Sequence, residues 1–149
     1  MGNSKKLTVK LNKDIAVTVT RVAIGSDRLV YLILANKPYH YSYGDSRIVY
    51  IGTTENGLSR IADSVAERAN EILNNHGINS ITVRVVTCKP RQKVKTWFKL
   101  ESALRLAFRQ IYGVVPYYND KGKVQKETDE FQYFALERMK NIIKKFEGS

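Results

Sequence analysis

The sequence predicts an α+β domain in which a small sheet is packed by helices. Three observations predict it. Residues 29–34 (Leu29, Val30, Tyr31, Leu32, Ile33, Leu34) and 48–51 (Ile48, Val49, Tyr50, Ile51) are continuous apolar runs of strand length. Such runs suit strands covered on both faces. Residues 81–85 alternate apolar Ile81, Val83 and Val85 with Thr82 and Arg84, as a further strand would. Apolar residues recur at helical spacing in three later stretches, so the order is strand, long connection, strand, helix, strand, helix, with a last helix beyond it.

In chain order, residues 1–28 read as an N-terminal β-hairpin extension. Leu7, Val9 and Leu11 alternate with Thr8 and Lys10, Ile15, Val17 and Val19 alternate with Thr18, and Asn12, Lys13 and Asp14 between them are turn residues. The segment from Asn36 to Ser46 is too long for a tight turn and reads as a connection. Leu58, Ile61, Val65, Ala69, Ile72 and Leu73 mark the first helix, closed by Asn74, Asn75, His76 and Gly77. A basic loop, residues 89–95, leads to a second helix marked by Trp97, Leu100, Leu104, Phe108 and Ile111. Thr96 is its expected N-cap and Gly113 its stop. Thr128 is the expected cap of a C-terminal amphipathic helix over residues 128–147, with Phe131, Phe134, Met139, Ile142, Ile143 and Phe146 on its apolar face.

A chain of 149 residues fits one domain and can bury a core without disulfides. Its lone cysteine, Cys88, makes neither an internal disulfide nor a zinc cage, and a cytoplasmic, intracellular setting is expected. The formal net charge is +11, from 25 Lys+Arg against 14 Asp+Glu, which suggests a polyanionic partner, simple solubility being the other reading. No apolar run approaches the roughly 20 residues of a membrane span, so no membrane is expected as a partner.

Phosphodiester hydrolysis needs a group to manage the proton of water, positive charge at the phosphate, and stabilisation of the leaving oxygen. Familiar histidine and phosphate-loop solutions are missing: the chain has no HExxH, CxxC or GxxxxGK[ST], and its histidines, His40 and His76, stand apart. Instead, marks appear in a definite order. Tyr31 closes the tripeptide Leu29-Val30-Tyr31, and Tyr50-Ile51-Gly52 puts a second tyrosine before a glycine at the next strand's end. Arg60 follows on the first helix, Glu101 on the second, and Asn119 closes Pro116-Tyr117-Tyr118-Asn119. This set resembles the GIY-YIG nuclease family, with the likeness running over residues 29–119. The departures are Leu29 for the family's first glycine, Thr53 after the second motif, and Ser64 where histidine or tyrosine is usual, four positions after Arg60.

The resemblance implies a catalytic core over residues 29–119 with a small central antiparallel sheet flanked by helices. It implies a DNA endonuclease with Tyr31, Tyr50, Arg60, Glu101 and Asn119 as catalytic residues. Glu101 would hold Mg²⁺ or Mn²⁺, a single carboxylate being enough for a cation that keeps several waters. Arg60 would clamp phosphate, Tyr31 would help activate water, Tyr50 would bind phosphate or share its proton, Asn119 would orient the site, and Gly52 would make the turn. A tyrosine acts as a base at neutral pH only beside positive charge, which Arg60 and the cation would supply. The residues also admit plainer roles. The tyrosines suit any strand, Glu101 can pair with Arg105, Arg60 can pair with Asp63 or Ser64, and Asn119 can serve a turn.

Candidate DNA contacts are Lys37, Tyr39, His40, Tyr41, Tyr43 and Arg47 in the connection, and Lys89, Arg91, Lys93 and Lys95 in the basic loop. Two rival functions stay open: a catalytically weakened nucleic-acid-binding module on the same fold, favoured by Thr53 and Ser64, and a basic RNA-binding protein. Monomer and homodimer are equally compatible with the sequence.

Overall fold

A computed structural model describes residues 6–11, 13–15, 27–75, 77–119 and 133–147. Among the described residues six elements follow in order: β1 (Leu29–Tyr41), β2 (Gly44–Thr54), α1 (Gly57–Leu73), β3 (Ile81–Val86), α2 (Thr96–Tyr112) and α3 (Leu136–Glu147). The strands form one antiparallel sheet in the order β2-β1-β3. The central strand is therefore the one with the longest apolar run. Residues 29–35 of β1 are all buried, because helices cover both faces.

Alternation along β1 divides the core in two. Val30, Leu32 and Leu34 face one layer with Ile48 and Ile51 of β2, the α2 residues Trp97, Leu100, Leu104 and Phe108, and Met139 and Ile143 of α3. Leu29, Tyr31, Ile33 and Ala35 face the other layer with Val49 and the α1 residues Ile61 and Ile72. The sheet is thus sandwiched between α1 on one side and α2 with α3 on the other.

A register shift in β2 positions the site. Ile33 pairs with Tyr50 and Leu34 with Ile48, which leaves Val49 as an extra residue, a β-bulge. Counted from Ile48, strict alternation would turn Tyr50 towards α2. The bulge resets the parity, and Tyr50 joins Tyr31 on the α1 face.

Several expectations are corrected. The Asn36–Ser46 connection is not a loop: β1 and β2 extend through it, and Ser42 and Tyr43 form the turn. A second shift, between Leu34 and Tyr39, absorbs Pro38, which has no N–H to give the ladder. The apolar run of β2 lies on an edge strand. It is buried because the 116–119 segment covers that edge: Tyr118 donates its backbone N–H to the Val49 carbonyl at 3.0 Å, and Asn119 bonds Ile51. Thr96 is the first helical residue of α2, and Lys95 stands at the N-cap without a side-chain cap bond. Gly113 does end α2, at φ 86°. Residues 133–135 are not helical and α3 starts at Leu136, whereas Thr128 and Phe131 lie outside the described residues. Of the expected N-terminal hairpin, residues 6–11 form no strand, and Leu7, Val9, Leu11 and Ile15 are exposed. The rest of its second strand lies outside the described residues.

Among the described residues no helix is long and apolar enough to cross a membrane.

Candidate active site

Gly52 pairs with Tyr31 across the sheet and follows Tyr50 by one pleat, so all three share a face. The tyrosine rings close over the glycine, their centroids 5.8 Å apart. A Cβ on Gly52 would lie 2.6 Å from Tyr50 Cε1, 2.8 Å from Tyr31 Cζ and 2.9 Å from Tyr31 Oη. Gly52 lies within β2 and not at a turn, a correction to its expected role, and it is needed as space for the two rings.

Helix α1 lays a stripe over this pair. Ser64 hydrogen-bonds the Tyr31 hydroxyl, and Tyr50 also bonds it. One turn on, the Arg68 guanidinium stacks on the Tyr50 ring, 3.8 Å from its centroid, a contact worth about 1–2 kcal/mol when partly desolvated. Arg68 Nη1 also donates to the Tyr118 carbonyl at 3.3 Å. Arg60 lies one turn before Ser64 on the same stripe, and it is exposed. The cation in contact with the tyrosines is thus Arg68, which the sequence reading missed. Its signal was the spacing of Arg60, Ser64 and Arg68 at intervals of one turn.

Burial pushes the Tyr31 hydroxyl up to about 12, with Tyr50 adding to the rise and with Ser64 and Arg68 opposing it. Without a bound cation, burial thus outweighs the positive charge of Arg68 at the Tyr31 hydroxyl. At neutral pH it is a protonated donor. The linkage has a definite sign, since the fold prefers the neutral phenol. Its contribution is intact below the unfolded value of about 10 and is lost as pH rises from there through about 12. Urea unfolding between pH 8 and 12 should show a falling stability, of which Tyr31→Phe removes on the order of 2 kcal/mol. An unchanged slope in that variant would place the whole effect in Tyr39, Tyr41 and Tyr112, which burial also raises.

Asn119 is buried and clamps the motif strand from outside. Its Oδ1 accepts the Ile51 N–H at 3.0 Å and its Nδ2 donates to the Ile51 carbonyl at 2.8 Å. It therefore fixes the peptide between Tyr50 and Gly52. Asn119→Ala should cost about 2–3 kcal/mol in urea unfolding, because it strips two buried backbone groups of their partner. A loss under about 0.5 kcal/mol would mean that water replaces the amide.

Glu101 stands apart from this group. Its neighbours on α2, Leu100 and Leu104, pack in the layer opposite the tyrosines. Its carboxylate accepts from Arg105 Nη1 at 3.4 Å, with side-chain exposures of 14% for Glu101 and 8% for Arg105. It does lie towards the same end of the sheet. The Arg28 guanidinium just before β1 stacks on Trp97, 4.3 Å from the ring centroid, and Glu101 follows Trp97 by one helical turn. The structure thus brings together Tyr31, Tyr50, Gly52 and Asn119 and holds Glu101 across the sheet.

The expected DNA contacts divide as well. Tyr39 bonds the Tyr118 hydroxyl at 2.9 Å, and Tyr41 donates to the Ile48 carbonyl at 2.7 Å. Arg47 donates to Glu147 at the end of α3. All three have partners within the fold. Their strand positions send the side chains back into the fold. Exposed are Lys37, His40 (paired with Asp45 at 2.8 Å), Tyr43, Lys89, Arg91, Lys93 and Lys95.

No family model, no curated protein and no solved structure matches this chain.

Proposed function

We propose that the chain is a metal-dependent DNA endonuclease of the GIY-YIG type, hydrolysing phosphodiester bonds. The observation that carries this reading is the closure of Tyr31 and Tyr50 over Gly52, with Ser64 and Arg68 laid against them. It gathers hydrogen-bond donors and a guanidinium at one strand end, as a dianionic phosphoryl transition state requires.

In this reading Tyr31 stays neutral and donates its proton in a hydrogen bond to a phosphate or water oxygen. Tyr50, fixed in place by Arg68, supplies the second hydroxyl. Arg60, on the same helical stripe, is the candidate phosphate clamp. Asn119 acts through the backbone by holding the Ile51 peptide in line. Glu101 fits a divalent cation in its chemistry, a hard oxygen donor partly open to solvent. Among the described residues no three His, Cys, Asp or Glu side chains gather, so Glu101 would hold such a cation together with water and phosphate oxygens. The cation's chemistry there is neutralisation of charge on the phosphate.

A catalytically weakened nucleic-acid-binding module is the second reading, and one observation favours it: Glu101 is already paired with Arg105. Supercoiled plasmid incubated with Mg²⁺, Mn²⁺ or EDTA separates the two. Nicking or linearisation that EDTA abolishes is the expected result. Salt-sensitive binding with no cleavage in either metal would establish the binding module instead.

A further inference from the structure

We propose that the turn between β3 and α2, with Phe98 beside it, is a platform for an unpaired stretch of nucleic acid. Phosphates would rest on the cations of the turn and a base would stack on Phe98. The inference rests on the reading above only in taking nucleic acid as the substrate.

Charge is the first ground. No acidic residue stands between Glu71 and Glu101, and Lys89, Arg91, Lys93 and Lys95 are all exposed. The turn holding them is built tightly. Arg91 and Val94 form an antiparallel bridge, and Lys93 sits at φ 64°, which turns the chain back within two residues. Cations spaced along a constrained turn suit a chain of phosphates.

The second ground is an aromatic face among those cations. Phe98 is 39% exposed although it lies in the first turn of a helix that is otherwise buried on its core side. Lys95 Nζ lies 5.6 Å from its ring centroid, and the Trp97 ring lies 5.6 Å away, tilted by 35°. A solvent-facing phenyl ring flanked by a cation is the arrangement on which bases stack. A duplex keeps its base faces stacked inside, so this surface favours unpaired nucleotides.

Topology is the third ground. Val86, the last residue of β3, pairs with Val30, and the next residue of β1, Tyr31, pairs with Gly52. The turn therefore leaves the sheet at the end where the tyrosines lie.

The test is equilibrium binding in EDTA, so that cleavage plays no part. A labelled thymidine oligonucleotide of about 12 residues, a uridine oligonucleotide of equal length and a matched duplex are compared by anisotropy. Trp97, the sole tryptophan, gives a second readout beside the platform. Phe98→Ala should weaken binding of the single strand about 10-fold and of the duplex less than about 2-fold, while Phe98→Tyr restores it. Lys93→Ala with Lys95→Ala should reduce the slope of log affinity against log salt by about 1.4. Equal losses for both DNA forms, or none, would overturn the platform. Preference for the uridine or the thymidine strand identifies RNA or DNA as the source of the unpaired segment. Absence of cleavage elsewhere would sink the nuclease reading and leave these binding results standing. Cleavage with an indifferent Phe98→Ala would do the reverse.

Discussion

Gly52→Ala is expected to lose stability and activity together, although it adds only one methyl group. Its Cβ would fall within 3.0 Å of atoms on both tyrosines. Neither ring has an easy retreat. Tyr31 is 3% exposed and bonded to Ser64, and Tyr50 lies under Arg68. Overpacking of this kind costs about 1–3 kcal/mol, read as a fall in Tm of roughly 5 °C for a chain of this size. Displacing reacting groups by about 1 Å costs on the order of 100-fold in rate, so plasmid nicking should fall at least that far. Parent-level cleavage by Gly52→Ala would show that the tyrosine pair is packing and that the chemistry lies elsewhere.

Glu101→Gln is the other substitution expected to act strongly, and its two consequences separate cleanly. The amide oxygen can still accept from Arg105, so the helix pairing is partly kept while the negative charge is lost. Replacing the carboxylate beside a buried guanidinium should cost about 1–3 kcal/mol. Metal-dependent cleavage should fall about 1,000-fold or more at saturating Mg²⁺, with DNA binding nearly unchanged. A variant that is less stable yet cuts like the parent would assign Glu101 wholly to the Arg105 pair. That outcome has a ready structural basis in the 3.4 Å contact.

The elements were legible because apolar period is a local property. Residues 29–34 carry a doubly covered strand, residues 81–85 a half-covered one, and Leu58 to Leu73 a helix, and the structure has each of them. Gly113 as a helix stop was legible for a local reason too, since glycine reaches positive φ without a Cβ penalty. The continuation of β1 and β2 through residues 36–46 was not. Pro38 and the tyrosines around it look like a loop in one dimension, and only pairing with Gly44 to Ser46 makes them strand. The partners of Tyr39 and Tyr41 were not legible for the same reason. These partners, Tyr118 and Ile48, lie across the fold or across the hairpin.

By itself, then, the sequence determined the strand cores at residues 29–34, 48–51 and 81–85 and the helices marked by Leu58 to Leu73 and by Trp97 to Ile111, because these follow from residue type and spacing. Tertiary structure alone decided which of the chemical residues meet. The Val49 bulge, invisible in the pattern of β2, turns Tyr50 to the face of Tyr31. Helical spacing offered two arginines, and packing chose Arg68 over Arg60 as the cation on the ring. Asn119 reached Ile51 because an edge strand must satisfy its backbone groups from some neighbour. Glu101 went to the opposite layer because α2 buries Leu100 and Leu104, and a side chain between them follows the face its helix must hide.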